Sequence, residues 1–258
     1  MVEISQAFIF AAGRGERMKP LTDSIPKPLV KIKNKAIIDY SIEKLLQISS
    51  LKKIIINGFY LAEQLEAHIK NLNNPKIIFS REIEKIETGG GLLFAKDKIN
   101  FDEPLLTING DILWQEKSLI SDLELLKQAW HSYQKDDVKI LLGLKKKEEF
   151  LGYEGEGDFN FDKKTGALTK FSGSKMSHVF TGLQIIDPKI LFNAPQEKCF
   201  SMSHFYKSAT SANGVVKGIK GIELPGKYFH IGTVDAIKMT EEILSNETVA
   251  NQKFLPKF

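Results

Sequence analysis

The sequence predicts an α/β fold built on a mixed, mostly parallel sheet with helices on both faces, and three observations carry that prediction. Apolar runs of strand length alternate with amphipathic stretches of helical length through the first 110 residues. Glycine-rich loops follow the apolar runs, as they do where ligands bind at the carboxyl ends of parallel strands. The 258 residues include 42% hydrophobic and 26% charged, which is enough apolar material to bury a core and excludes a disordered chain.

Taken in chain order, strands are expected at 7–11, 53–56, 76–79 and 104–108, with helices between them at 37–48, 62–72 and 89–96. Ile38, Ile42, Leu45 and Leu46 form one stripe on the first helix. The second half is less regular. It reads as a strand at 138–144, a hairpin over 159–171 turning at Lys163-Lys164-Thr165-Gly166, and a strand at 178–186. Pro188 opens a short helix, strands recur near 215–219 and 228–231, and Thr233 is the expected N-cap of a helix to about 244. A single domain at 1–245 results, divided into halves at 1–112 and 113–245, with residues 246–258 as a loose tail.

Composition excludes several classes. A lone cysteine, Cys199, rules out an intramolecular disulfide or a multi-cysteine metal site, and is expected to pack as a small apolar residue in a reducing compartment. The apolar run Ala7-Phe8-Ile9-Phe10-Ala11 is preceded by Glu3 and is too short for a secretory signal, and no stretch reaches the ~18 apolar residues of a membrane span. A cytoplasmic protein without membrane partners is therefore expected. The formal net charge of +4 is spread along the chain, and its densest cluster, Lys145-Lys146-Lys147, is followed by Glu148-Glu149, so a solvated turn is expected there and nucleic acid is not an expected partner.

The most informative segment is Ala11-Ala12-Gly13-Arg14-Gly15-Glu16-Arg17-Met18-Lys19-Pro20-Leu21-Thr22, continuing to Pro26-Lys27-Pro28. Gly13 and Gly15 after a buried strand let backbone N–H groups approach phosphate oxygens. Arg17 and Lys27 can neutralise a triphosphate. A dinucleotide fingerprint would need glycine where Met18 stands, and a P-loop would need Gly-Lys-Ser/Thr after four intervening residues. The prolines are expected to hold the segment in an extended loop.

This string resembles the signature of the sugar-phosphate nucleotidylyltransferases: a Gly-x-Gly-x-Arg loop, then Pro-Leu-Thr, then Pro-Lys-Pro. Glu87-Thr88-Gly89-Gly90-Gly91, Asn109-Gly110-Asp111, Gly155-Glu156-Gly157-Asp158-Phe159, Thr181-Gly182 and Gly232-Thr233 follow in the family's order, so the resemblance spans roughly residues 5–245. Within the family the pattern is nearest to N-acetylmuramate 1-phosphate uridylyltransferases and bacterial mannose-1-phosphate guanylyltransferase-like proteins. It implies a Rossmann-like nucleotide-diphospho-sugar transferase fold, with a nucleotide half followed by a sugar half. The implied reaction joins a nucleoside triphosphate and a sugar 1-phosphate, both small molecules, with release of pyrophosphate.

By position in the motif, Arg17 resembles the residue that clamps the leaving pyrophosphate and Lys27 the one beside the α-phosphate. Ala11, Ala12, Gly13, Gly15, Glu82, Thr88, Gly89 and Gly90 are the nucleotide-binding candidates. Three successive glycines at 89–91 suggest backbone lying flat against a ligand, and base choice is expected from contacts near Ser80 to Glu84. Asp111, at the tip of a central strand, suits Mg²⁺, a hard cation that takes carboxylate and phosphate oxygens.

Many family members carry an aspartate two residues before the late Gly-Thr pair, where this chain has His230. Imidazole is a poor Mg²⁺ ligand and a better one for Mn²⁺. Three roles stay open: His230 touches a softer metal or its water, His230 contacts phosphate, or Asp235 replaces it. For the sugar, Asn109, Gly157, Asp158, Thr181 and Gly182 are the candidates, because glycine admits a ring close to backbone and carboxylates accept sugar hydroxyls. Uridylyl transfer to N-acetylmuramate 1-phosphate stands ahead of guanylyl transfer to mannose 1-phosphate. A non-catalytic nucleotide-sugar sensor and a choline-phosphate cytidylyltransferase are the rivals, and no aromatic cage for choline is evident.

Overall fold

A computed structural model describes residues 3–170, 175–211 and 214–253. Chain order is β1 (Gln6–Phe10), β2 (Lys31–Ile32), β3 (Lys35–Ala36), α1 (Ile37–Leu46), β4 (Lys53–Gly58), α2 (Ala62–Asn71), β5 (Ile77–Arg81), α3 (Glu87–Phe94), β6 (Leu105–Asn109) and β7 (Ile112–Gln115). It continues with α4 (Asp122–Ser132), β8 (Ile140–Lys146), β9 (Phe150–Leu151), β10 (Asn160–Phe161), β11 (Ala167–Thr169), β12 (His178–Ile186), α5 (Ser203–Ser208), β13 (Val215–Glu223), β14 (Lys227–His230) and α6 (Val234–Lys253).

One sheet of nine strands, in the order β10-β11-β13-β8-β12-β6-β1-β4-β5, crosses both halves. The block β6-β1-β4-β5 is parallel throughout. Beyond it β12 runs antiparallel to both β6 and β8, while β8 and β13 are parallel. The sheet is thus mixed and mostly parallel where the nucleotide half was expected. Strand periodicity sorts the core onto two faces. Ala7, Ile9, Ile54, Ile56, Leu106 and Ile108 pack with Leu45, Leu65 and Trp130 of α1, α2 and α4. Phe8, Ile55 and Leu105 face the other way, toward Leu92 of α3 and Phe205 of α5. A three-stranded sheet, β7-β14-β9, contributes Leu113 and Phe229 to a third cluster with Met18, Val30 and Ile237.

Several expectations are corrected. The segment after β1 is not extended: it folds into three single-turn 3₁₀ helices, Glu16–Met18, Leu21–Asp23 and Lys27–Leu29, because fully buried Met18 and Thr22 pin it inward. Lys145 is no solvated turn residue. It lies on β8, 5% exposed, and donates to the carbonyls of Leu224 at 3.1 Å and Pro225 at 3.4 Å while pairing with Glu149. Cys199 is exposed rather than packed. Residues 246–253 continue α6 and are not a loose tail, while 254–258, like Phe171 of the expected hairpin, lie outside the described residues. The turn at 163–166 does join antiparallel β10 and β11, and Thr233 Oγ1 accepts from the Ala236 N–H at 3.2 Å, as an N-cap does. The helix α4 was not anticipated, although Ser121-Asp122-Leu123-Glu124 carries the Ser-x-x-Glu signature and Ser121 Oγ accepts from the Glu124 N–H at 3.2 Å.

Candidate active site

Strand order places β4 and β5 on one side of β1 and β6 on the other, so the chain leaves the carboxyl ends of β1 and β6 toward opposite sides and opens a crevice at a topological switch point. Phe10 pairs with Asn109 at its rim. Gly110 closes it tightly: its N–H donates to the Phe10 carbonyl at 2.9 Å, and a Cβ there would lie 2.5 Å from that oxygen. The pocket above encloses about 840 Å³ when the space open to solvent is counted. Ala11, Ala12, Gly13, Arg14 and Lys27 line it from the first loop, Asn57, Glu82 and Thr88 from the second side, and Asn109, Gly110 and Asp111 from below.

The first loop holds its cations in place through its glycines. Gly15 adopts a left-handed φ of 69°, and a Cβ on it would lie 3.0 Å from Thr22 Cγ2 and 3.1 Å from Lys27 Cβ. Its carbonyl accepts from Thr22 Oγ1 and from the Met18 N–H, both at 2.8 Å. Gly15 therefore supports the stem of Lys27 instead of lining the pocket. Gly13 has open space where a Cβ would be, and lines the pocket directly.

Lys27 Nζ donates to Asp111 Oδ2 at 2.7 Å, and His230 Nε2 stands 3.7 Å from the same oxygen. Burial would raise the Asp111 carboxyl, but the Lys27 ammonium and the His230 ring outweigh it and hold the group well below the usual carboxylate range. Asp111 is therefore ionised throughout the physiological range. Arg17 joins this group from the first 3₁₀ turn: a Cβ on Gly232 would lie 3.0 Å from Arg17 Nη2 and 2.8 Å from His230 Cε1. Among the described residues Arg17 makes no ion pair, so its guanidinium is available to an anion. Four residues far apart in sequence thus converge: Arg17, Lys27, Asp111 and His230.

A divalent cation fits this donor set in one way. No group of three or more acidic, histidine or cysteine side chains placed to hold a metal ion exists among the described residues, so the protein would offer the Asp111 carboxylate and at most the His230 ring. Mg²⁺ commonly binds through one or two carboxylates with substrate phosphates and water completing its shell. Asp235 does not take the place of the missing aspartate. Its side chain is 93% exposed and pairs with Lys238, since it lies on the outer face of α6.

Two other expectations change. Gly89 and Gly90 lie within α3 and are not among the residues that line this pocket. A Cβ on Gly89 would meet the Phe200 ring at 2.3 Å, and one on Gly90 the Lys198 carbonyl at 2.3 Å, so these glycines admit a crossing strap of chain. Of the motif, Glu87 and Thr88 line the pocket, and Thr88 Oγ1 also accepts from the Met202 N–H at 2.9 Å. Thr181 is fully buried, with its hydroxyl spent on the Gly143 carbonyl at 2.9 Å, because it points into the core from β12. Of the other sugar candidates, Gly182 touches Asn109: a Cβ there would lie 3.0 Å from Asn109 Cβ. Asp158 accepts from the Phe180 N–H at 2.9 Å, and burial raises its carboxyl despite that bond. Gly157, at φ 88°, lies close against the Met176 carbonyl, 2.4 Å from where a Cβ would stand. Asn57, which reasoning from sequence passed over, is 2% exposed and lines the pocket.

The pattern described as nucleotidyl transferase matches residues 6–171. An N-acetylmuramate alpha-1-phosphate uridylyltransferase of Caulobacter vibrioides is 30% identical over 235 residues, covering 89% of this chain and 93% of that protein. A mannose-1-phosphate guanylyltransferase catalytic subunit beta of Drosophila pseudoobscura pseudoobscura is 35% identical over 113 residues, 42% of this chain and 30% of its own. The structure of HddC from Yersinia pseudotuberculosis complexed with GMP-PN superposes with a TM-score of 0.71 at 22% identity, covering 93% of this chain and 100% of that one.

Proposed function

Because the chain belongs to the nucleotidyl transferase family and is a sugar-1-phosphate nucleotidyltransferase, we propose that it transfers uridylyl from UTP to N-acetylmuramate 1-phosphate. The observation that carries this reading is the meeting of Lys27, Asp111, His230 and Arg17 at the crevice between β1 and β6. The name of the Caulobacter vibrioides relative, which matches over nearly the whole of both chains, supports the choice of sugar and base.

In the reaction a phosphate oxygen of the sugar 1-phosphate attacks the α-phosphorus of the triphosphate. One P–O bond forms, the bond to the β-phosphate oxygen breaks, and pyrophosphate departs. No proton has to move. The protein's task is to hold two anions together, and fixed cations in a site shielded from water do so without reorganising. Lys27, braced against Gly15, presents its ammonium where the β1 and β6 tips meet, beside the transferring phosphoryl group. Arg17, with no ion pair among the described residues and near Gly232, presents its guanidinium to the leaving pyrophosphate. Asp111, with His230 beside it, would hold Mg²⁺, or Mn²⁺ in view of the imidazole, and that cation would add charge neutralisation at the phosphates.

Pyrophosphate release from a matrix of sugar 1-phosphates and triphosphates tests the proposal. Turnover confined to UTP with N-acetylmuramate 1-phosphate is expected. Turnover confined to GTP with mannose 1-phosphate would replace it with the guanylyl reading. Tight nucleotide-sugar binding by calorimetry with no pyrophosphate from any pair would identify a sensor.

A further inference from the structure

The ribbon of β7 and β14 carries the site at one of its ends. β7 begins one residue after Asp111, β14 ends at His230, and the two pair antiparallel from Lys227 with Gln115 to His230 with Ile112. Beyond that pairing the Ile231 N–H donates to the Asp111 carbonyl at 2.9 Å. The opposite end is gripped by charged side chains that the transfer reaction does not use. Lys145, 5% exposed on β8, has three N–H groups and three acceptors: the Leu224 carbonyl at 3.1 Å, the Pro225 carbonyl at 3.4 Å and the Glu149 carboxylate at 3.0 Å. Asp122, fully buried at the start of α4, accepts from the Gly226 N–H at 3.1 Å and from the Tyr228 hydroxyl at 2.6 Å. The Leu224 N–H goes to the Leu144 carbonyl at 2.9 Å, and Pro225 has none to offer.

This grip is tied back to β7. Glu116, the residue after that strand, accepts from the Asp122 N–H at 2.8 Å through one carboxylate oxygen. Its other oxygen accepts from Trp114 Nε1 and Lys44 Nζ, both at 2.9 Å. A Cβ on Gly226 would collide with Asp122 Oδ2 and lie 3.0 Å from the Gln115 carbonyl, so the turn sits this close to β7 only with glycine there. Aromatic rings continue the line toward the site. Trp114 stacks on Tyr228, and the Phe150 ring meets Tyr228 edge-on at 6.1 Å and His230 at 6.3 Å. Tyr228 and His230, two residues apart on one strand, share a face.

Burying charged groups is costly, and well-packed apolar side chains would hold a turn at least as firmly. What charged groups add is placement, because each bond fixes a particular atom. β14 is bonded on both edges, to β7 and to β9, and so moves as a unit along its length. The turn at 224–226 therefore sets how far the strand reaches. We infer that Lys145 is a positioning residue for nucleotidyl transfer: together with Asp122 it fixes the turn ahead of β14 and so holds the His230 ring at its 3.7 Å from Asp111. The inference rests on the proposed function, since it assumes that His230 acts in the transfer.

A double-mutant cycle on kcat tests this. Lys145→Met keeps a buried apolar stem and removes the donors. Its kcat should fall by about 10–10²-fold, the scale of a misplacement near ~1 Å, with the KM for the triphosphate unchanged. In a His230→Ala background the same substitution should cost no further kcat, while its cost in urea stability should be the same in both backgrounds. A merely structural lysine would lower kcat by equal factors with and without His230. That result overturns the inference, as does wild-type kcat in either single variant. If Lys145→Met does not fold, Tyr228→Phe, which keeps the ring and removes the hydroxyl bonded to Asp122, supplies the same cycle with the same outcomes. If no pair of sugar 1-phosphate and triphosphate turns over, the proposed function fails and NMR decides the inference by itself. The His230 imidazole signals, assigned by their loss in His230→Ala, should shift in Lys145→Met or Tyr228→Phe, and unshifted signals overturn it.

Discussion

Replacing Gly90 with alanine tests whether the glycine triplet serves packing or ligand. The new Cβ would stand 2.3 Å from the Lys198 carbonyl oxygen and 3.0 Å from Ile86 Cβ, where ordinary contact begins near 3.4 Å, so the strap must retreat by about 1 Å. That movement also endangers the bond from the Gly90 N–H to the Phe200 carbonyl, now 2.9 Å. Overpacking costs about 1–3 kcal/mol. The lost bond adds about 0.5–1.5 kcal/mol. Alanine's better helix propensity returns about 1 kcal/mol. The net destabilisation is about 0.5–3.5 kcal/mol, or a fall in Tm of roughly 1–14 °C for a domain of this size. Urea denaturation and thermal melting would measure it. Gly13→Ala is the matched comparison, since its Cβ meets no atom within 4 Å and its backbone is not left-handed. It should melt like the wild type while raising the KM for the triphosphate, because the methyl enters the pocket. Wild-type stability in Gly90→Ala, with a raised KM instead, would refute the packing assignment.

Arg17→Ala should fold with unchanged stability, because the side chain has no ion pair among the described residues, and should lose about 10²–10³ in kcat, read as pyrophosphate release. Lys27→Ala should lose a similar factor in kcat and should also be destabilised, since Asp111 is left half-buried without the cation 2.7 Å away. Glu82 gives a stability signature of its own. Its carboxyl is raised from 4.5 to about 6, so the folded state binds more protons than the unfolded one between those values, and stability falls by about 2 kcal/mol as pH rises through that window. Above it the contribution is flat, and urea denaturation of Glu82→Gln should lack the decline.

Much of the site was legible locally. The string from Ala11 to Pro28 has its chemistry in its own order: glycines for close approach, two cations, and prolines that punctuate the loop. Strand and helix periodicity was equally legible, because alternation and the helical repeat are properties of neighbouring residues. The span His178–Ile186 coincides with its expected bounds, while the short strands β7 and β9 carried too few residues for any period to show.

What the sequence alone determined was therefore the reaction class and the candidate loop for it, since these depend on residues close together in the chain. Tertiary structure decided what depends on partners distant in sequence. Gly90 meets Lys198, Lys27 meets Asp111, Asn57 aligns Glu82, and Lys145 finds the Leu224 carbonyl. A residue type states which bonds a side chain can make, but only the folded chain brings the partner within reach and removes the competing water. That difference turned two glycines of a ligand motif into packing positions and a lysine of an exposed cluster into a buried donor.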